Sequence, residues 1–108
     1  MGERYILVFS TVPSPEEGAR IGKAVVGEGL AACCNIIPGL RSIYLWKGKL
    51  CDEGEALCLL KTRAQLFDRL KDRIKELHTY EVPEIVAIDI KDGLREYLSW
   101  IGTVTEGP

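Results

Sequence analysis

The segment from Ala31 to Leu50 constrains this chain more than any other. Its twenty residues carry strand-forming side chains, and from Arg41 onward they alternate, with Ile43 and Leu45 on one face and Ser42, Tyr44 and Trp46 on the other. Twenty extended residues reach roughly 65 Å at ~3.3 Å each. A globule of about 100 residues has a radius of gyration near ~13 Å, so the strand cannot lie straight inside it. Pro38-Gly39 is placed to bend the strand and Asp52-Glu53-Gly54 reads as the turn that returns it. The two strands should then overhang the core as a long hairpin. Apolar side chains on such an arm, and its free backbone edge, require a second surface, which points to a closed homo-oligomer built through the hairpin.

The remaining pattern fixes the fold class. Tyr5 to Phe9 is an unbroken apolar run and reads as a central strand covered on both faces. Ser14-Pro15-Glu16-Glu17 starts a helix, with serine at the N-cap, proline at the first helical position and glutamate completing a capping box; Gly29 suits its end. Leu30 to Ile37 opens the long strand region and Glu55 to Lys61 forms the return strand. Thr62 with Gln65 reads as a second capping box, before a helix that lines up Leu66, Phe67, Leu70, Ile74 and Leu77. Glu84 to Ile90 is a fourth strand, and a last helix runs from about Leu94. The order β-α-β-β-α-β plus a terminal helix predicts an α+β, ferredoxin-like split βαβ fold in one domain over residues 1–108.

Composition removes several function classes. With 14 Lys and Arg against 16 Asp and Glu, the net charge of −2 opposes nucleic acid and anionic membranes as main partners. No apolar run approaches the ~20 residues of a membrane span, and no secretory signal precedes the first strand, so a cytoplasmic location is expected. Cys33, Cys34, Cys51 and Cys58 form no C-x-x-C pair; Cys34 and Cys58 read as small buried hydrophobes.

The connector between the second helix and the fourth strand, Leu77-His78-Thr79-Tyr80-Glu81-Val82-Pro83-Glu84-Ile85, concentrates the chemistry. It holds the single histidine, two carboxylates and a phenol, and titratable residues packed into a connector mark function more often than scattered ones. His78 could ligate a metal together with Cys33, Glu81 or Glu84, or three symmetry-related copies could converge on one ion. Alternatively, His78 meets the negative end of the second helix dipole. A small-ligand cleft between subunits, lined by Lys61, His78, Tyr80, Glu81 and Glu84, is the other functional reading, and Tyr44 and Trp46 belong to the arm. An enzyme is not expected. The loop after the first strand, Ser10-Thr11-Val12-Pro13-Ser14-Pro15, lacks the arginine that a phosphate-cradling acylphosphatase loop needs, and no nucleophile–base pair is evident. Tyr44 and Trp46 could suggest single-stranded RNA, but the acidic balance opposes it.

Several motifs, in order and spacing, resemble one known family: Leu30-Ala31-Ala32-Cys33, Asn35-Ile36-Ile37-Pro38-Gly39, Ser42-Ile43-Tyr44-Leu45-Trp46-Lys47-Gly48-Lys49, Leu60-Lys61-Thr62, His78 to Ile85, and Tyr97-Leu98-Ser99-Trp100. From Leu7 to Ile101 the chain is similar to the CutA divalent-cation tolerance proteins. The resemblance implies a ferredoxin-like homotrimer whose hairpins pair between subunits. It also implies a cytosolic, non-enzymatic role in tolerance of copper and other divalent metals. The trimer it implies is similar to the PII signalling proteins, with clefts between subunits that take small ligands. Thr79 stands where the family has proline, and Ser10 and Leu77 stand where some members carry a cysteine and a second histidine proposed to hold copper. His78 alone remains of that set.

Overall fold

A computed structural model describes residues 2–105; Met1 and residues 106–108, the two ends of the expected domain, lie outside the described residues. Four strands and three helices follow in the order β1 (Tyr5–Val12), α1 (Pro15–Gly27), β2 (Cys33–Trp46), β3 (Lys49–Arg63), α2 (Phe67–Leu77), β4 (Val86–Ile90) and α3 (Arg95–Val104). The strands form one antiparallel sheet in the order β2-β3-β1-β4. The fold is α+β, with β1 central as its apolar run predicted.

One face of the sheet makes the core. Ile6, Val8, Ser10 and Val12 of β1 are buried and lie opposite Thr62, Leu60, Cys58 and Ala56 of β3. Ile21 and Val25 of α1 and Leu70 and Ile74 of α2 close over them. Period-3.6 apolar spacing in the helices thus meets period-2 spacing in the strands. The other face is different from expectation. Tyr5, Leu7 and Phe9 of β1 are only half-buried, and Val86 and Ile88 of β4 remain 51% and 54% exposed. Within one chain α3 covers this face at one end. There the buried Arg63 guanidinium donates to Thr105 Oγ1 at 3.0 Å and to the Thr105 carbonyl, at the negative end of α3.

The hairpin turn is not at Asp52-Glu53-Gly54. Those residues lie inside β3, opposite Ile43, Ser42 and Arg41. The chain reverses at Lys47-Gly48, whose φ values of 50° and 78° match the two-residue turn that suits strand twist. Pairing of Trp46 with Lys49 follows directly. Pro38-Gly39 does interrupt the strand: the register shifts between Ile37 and Leu40, and Gly39 has φ 83°. The 14 residues of β2, extended, reach roughly 46 Å, matching the molecule's long axis in its 45 × 25 × 22 Å extents. Ile43, Leu45 and Leu50 on the arm are 62%, 73% and 74% exposed.

Helix ends show where local signals win or lose. Ser14 caps α1 as expected, accepting from the Glu17 amide at 3.2 Å, but the Glu17 carboxylate turns to Arg20 instead of closing the box. Gly29 ends α1 in a Schellman arrangement, with Leu30 N–H donating to Val25 O at 2.9 Å and Gly29 N–H to Val26 O at 3.1 Å. Leu30 to Ala32 are spent on that exit, so β2 begins at Cys33. Thr62 caps nothing; it is buried in β3 and its hydroxyl donates to Leu30 O at 2.7 Å. A buried hydroxyl must find an acceptor, and the Leu30 carbonyl supplies it, while α2 starts only at Phe67. α2 is entered through a single 3-10 turn, Ala64–Leu66, with no side-chain cap.

Candidate functional site

The connector after α2 folds alongside the arm and borders an open cleft of about 620 Å³. Tyr44, Trp46 and Glu55 come from the arm side, and Tyr80, Glu81 and Glu84 from the connector. Strand alternation puts Tyr44 and Trp46 on the same face of β2, so the arm supplies two rings to one wall.

His78 holds the connector in place. The ring is buried; its Nδ1 accepts the Tyr80 amide at 3.1 Å, which leaves Nε2 to donate to the Thr11 carbonyl at 2.8 Å. Both nitrogens are therefore used by backbone, and the ring packs on Tyr80 with centroids 4.7 Å apart. The C-cap position at the end of α2 is as expected, and the buried ring ties the loop to β1 rather than facing solvent. Tyr80 in turn donates its hydroxyl to Glu55 at 2.6 Å, and Tyr44 donates to Glu53 at 2.6 Å.

These bonds fix the electrostatics. Burial and then the Glu55 carboxylate push the Tyr80 phenol above its ordinary range; the Glu53 carboxylate, then desolvation, does the same to Tyr44. Ionising either phenol would set an anion against an anion. A raised folded-state pKa means the folded chain keeps its proton longer than the unfolded chain. The stabilisation is therefore complete below the unfolded phenol value near ~10 and is lost as pH rises above it. Alkaline titration followed by phenolate absorbance should show Tyr44 and Tyr80 ionising late and together with loss of folded signal, and Tyr80→Phe should remove one late group. Early ionisation of all four tyrosines would contradict the assigned bonds.

The residues singled out by sequence separate into two places. Tyr44, Trp46, Tyr80, Glu81 and Glu84 share the cleft. Lys61 and Cys33 do not. They pair on neighbouring strands, where Lys61 Nζ donates to Asn35 Oδ1 at 3.0 Å and lies 5.7 Å from the centre of the Tyr97 ring, with Cys33 Sγ 3.9 Å from the Tyr97 hydroxyl. The chain thus does not bring His78, Cys33 and Glu84 together, and among the described residues no group of three or more His, Cys, Asp or Glu side chains is arranged to hold a metal ion. Sequence reading missed Glu55, Thr11 and Ser42 as cleft residues. Glu55 carried a signal: it is an acid in the return strand, two positions before Leu57 and therefore on the same strand face.

Comparison with known proteins is consistent from one end of the chain to the other. Residues 6–104 match the family model for the CutA1 divalent ion tolerance protein. The divalent-cation tolerance protein CutA of Thermus thermophilus is 54% identical over 95 residues, covering 88% of this chain and 92% of that one. The chloroplastic CutA 1 of Oryza sativa is 44% identical over 100 residues; the match takes in 93% of this chain and 56% of that longer protein. The solved Thermus thermophilus Cut A1 superimposes with a TM-score of 0.87 at 52% identity, covering 90% of this chain and 94% of that one. Oryza sativa CutA1 does so at 0.91 and 43% identity, covering 94% of each chain. The chain belongs to the CutA1 divalent ion tolerance family.

Proposed function

We propose that this chain acts in tolerance of divalent metal ions, copper among them, as a non-enzymatic cytoplasmic homotrimer of ferredoxin-like subunits. The observation that carries the reading is apolar surface with nothing to cover it in one chain: Val86 and Ile88 on the sheet face, and Ile43, Leu45 and Leu50 on the arm. Three copies joined through sheet faces and arms would bury both. The sheet order and the overhanging hairpin support the ferredoxin-like trimer, and four free cysteines suit a reducing compartment. Both ring nitrogens of His78 are committed to backbone, so this residue offers no lone pair for a general base.

Copper binding is weak in this reading, and His78 is assigned to positioning the connector. Calorimetric titration of Cu(II), and of Cu(I) under reducing conditions, into wild type and His78→Ala is expected to give equal heats. Heat that disappears in the variant would return His78 to the ligand set. The 620 Å³ cleft favours a second role, that of a PII-like small-ligand sensor, because its size falls in the range of pockets that take such molecules.

A further inference from the structure

The geometry points to an organic ammonium ion as the occupant of the cleft between the arm and the connector, held by the aromatic rings of Trp46, Tyr44 and Tyr80 and by the carboxylates of Glu55 and Glu84. This rests on the small-ligand reading of the cleft. Four observations carry it.

Charge comes first. The cleft lining holds three acidic side chains, Glu55, Glu81 and Glu84, and no Lys, Arg or His. Glu55 is the decisive one, since it is 9% exposed and its bond is a hydroxyl, that of Tyr80, at 2.6 Å. Among the described residues it forms no ion pair, and neither does Glu84. A buried carboxylate without a counter-ion is costly, and a bound cation removes that cost.

Shape and surface narrow the cation. The carboxylates do not cluster as metal ligands, and a volume of about 620 Å³ is far larger than an ion. Two aromatic rings from the arm, Tyr44 and Trp46, and one from the connector, Tyr80, line the cleft, and aromatic faces attract an ammonium and cover an attached hydrocarbon chain. The Tyr44 and Tyr80 hydroxyls are already spent on Glu53 and Glu55, so neither offers a free donor. The molecule supplies its own precedent at the rim: the Lys47 ammonium lies 5.7 Å from the centre of the Trp46 ring and 3.6 Å from Glu81. The arm tip thus already shows an ammonium between the same kinds of group, at the mouth rather than in the depth.

The test is calorimetric titration of spermidine, a flexible polyammonium, into wild type, Glu55→Gln, Glu84→Gln and Trp46→Leu, with 1,8-octanediol as the uncharged chain and Mg(II) as the bare cation. Spermidine is expected to bind wild type. Glu55→Gln, which keeps the shape and the Tyr80 contact, should weaken it about tenfold or more, the loss of one desolvated charge contact, and Glu84→Gln and Trp46→Leu should each weaken it severalfold. The diol and Mg(II) should give no Glu55-dependent heat. Absence of spermidine binding to wild type overturns the proposal, as when a second copy fills the cleft. So does equal binding by wild type and both glutamate variants, or Glu55-dependent binding of Mg(II) alone. Light scattering on the same samples keeps the outcomes apart. A three-chain mass with no spermidine binding refutes the ammonium occupant and leaves the trimer; a one-chain mass with binding does the reverse.

Discussion

Leu60→Ala is expected to lower the unfolding free energy by about 3 kcal/mol, the middle of the range for a leucine truncated in a packed core. Leu60 of β3 is fully buried, opposite Val8 on one side and Cys34 on the other. Strands flank it and α1 and α2 cover it, so the structure has little room to collapse into the space left. For a domain of about 100 residues the melting point should fall by about 15 °C. Comparison at equal protein concentration is needed, because assembly contributes to apparent stability. Urea unfolding checks it: the midpoint should drop with little change in slope. A loss under about 1 kcal/mol would mean that the sheet and helices are packed far less tightly than described.

Ile88→Lys is expected to act on assembly and spare the fold. Ile88 is 54% exposed on the sheet face away from α1 and α2, so an isolated chain tolerates a lysine there. In the proposed trimer that face is covered, and an unpaired ammonium would be buried. A cost of about 3 kcal/mol per contact corresponds to more than a hundredfold weaker association. Sedimentation velocity should show smaller species at micromolar concentration, with far-UV circular dichroism retained. An unchanged mass would place the intersubunit contact elsewhere, with the arm carrying Leu45 and Leu50 the next surface to test.

What sequence could and could not disclose follows from the range of each interaction. The β1 run, the α1 cap at Ser14 and the α2 stripe through Leu70 and Ile74 are local patterns, and each forms where local physics puts it. The hairpin was legible as an arm but misplaced at its tip. Asp52-Glu53-Gly54 has better turn chemistry by composition, yet Lys47-Gly48 gives the tighter two-residue reversal and puts Leu45 opposite Leu50. Thr62 illustrates the opposite failure: a valid local cap signal yields to a long-range hydrogen bond with Leu30, 32 residues away.

The cleft was half legible for the same reason. Tyr80, Glu81 and Glu84 stand out because they are neighbours in sequence, whereas Glu55 joins them only through the Tyr80 hydroxyl, 25 residues away. Lys61 and Cys33 looked like partners of His78 because all three are reactive residue types. Strand alternation sends them instead to the sheet surface beside Tyr97. His78 was readable as a ligand or as a residue at the end of the second helix; its ring bonds the Thr11 carbonyl and the Tyr80 amide, partners that no spacing rule reveals.

The most direct test of the central claim, that the bare sheet face and the arm are completed by copies of the same chain, is the solution mass of the wild-type protein by sedimentation equilibrium at micromolar concentration. The expected result is a single species of three times the 12.0 kDa of one chain. A single species at 12.0 kDa would contradict it.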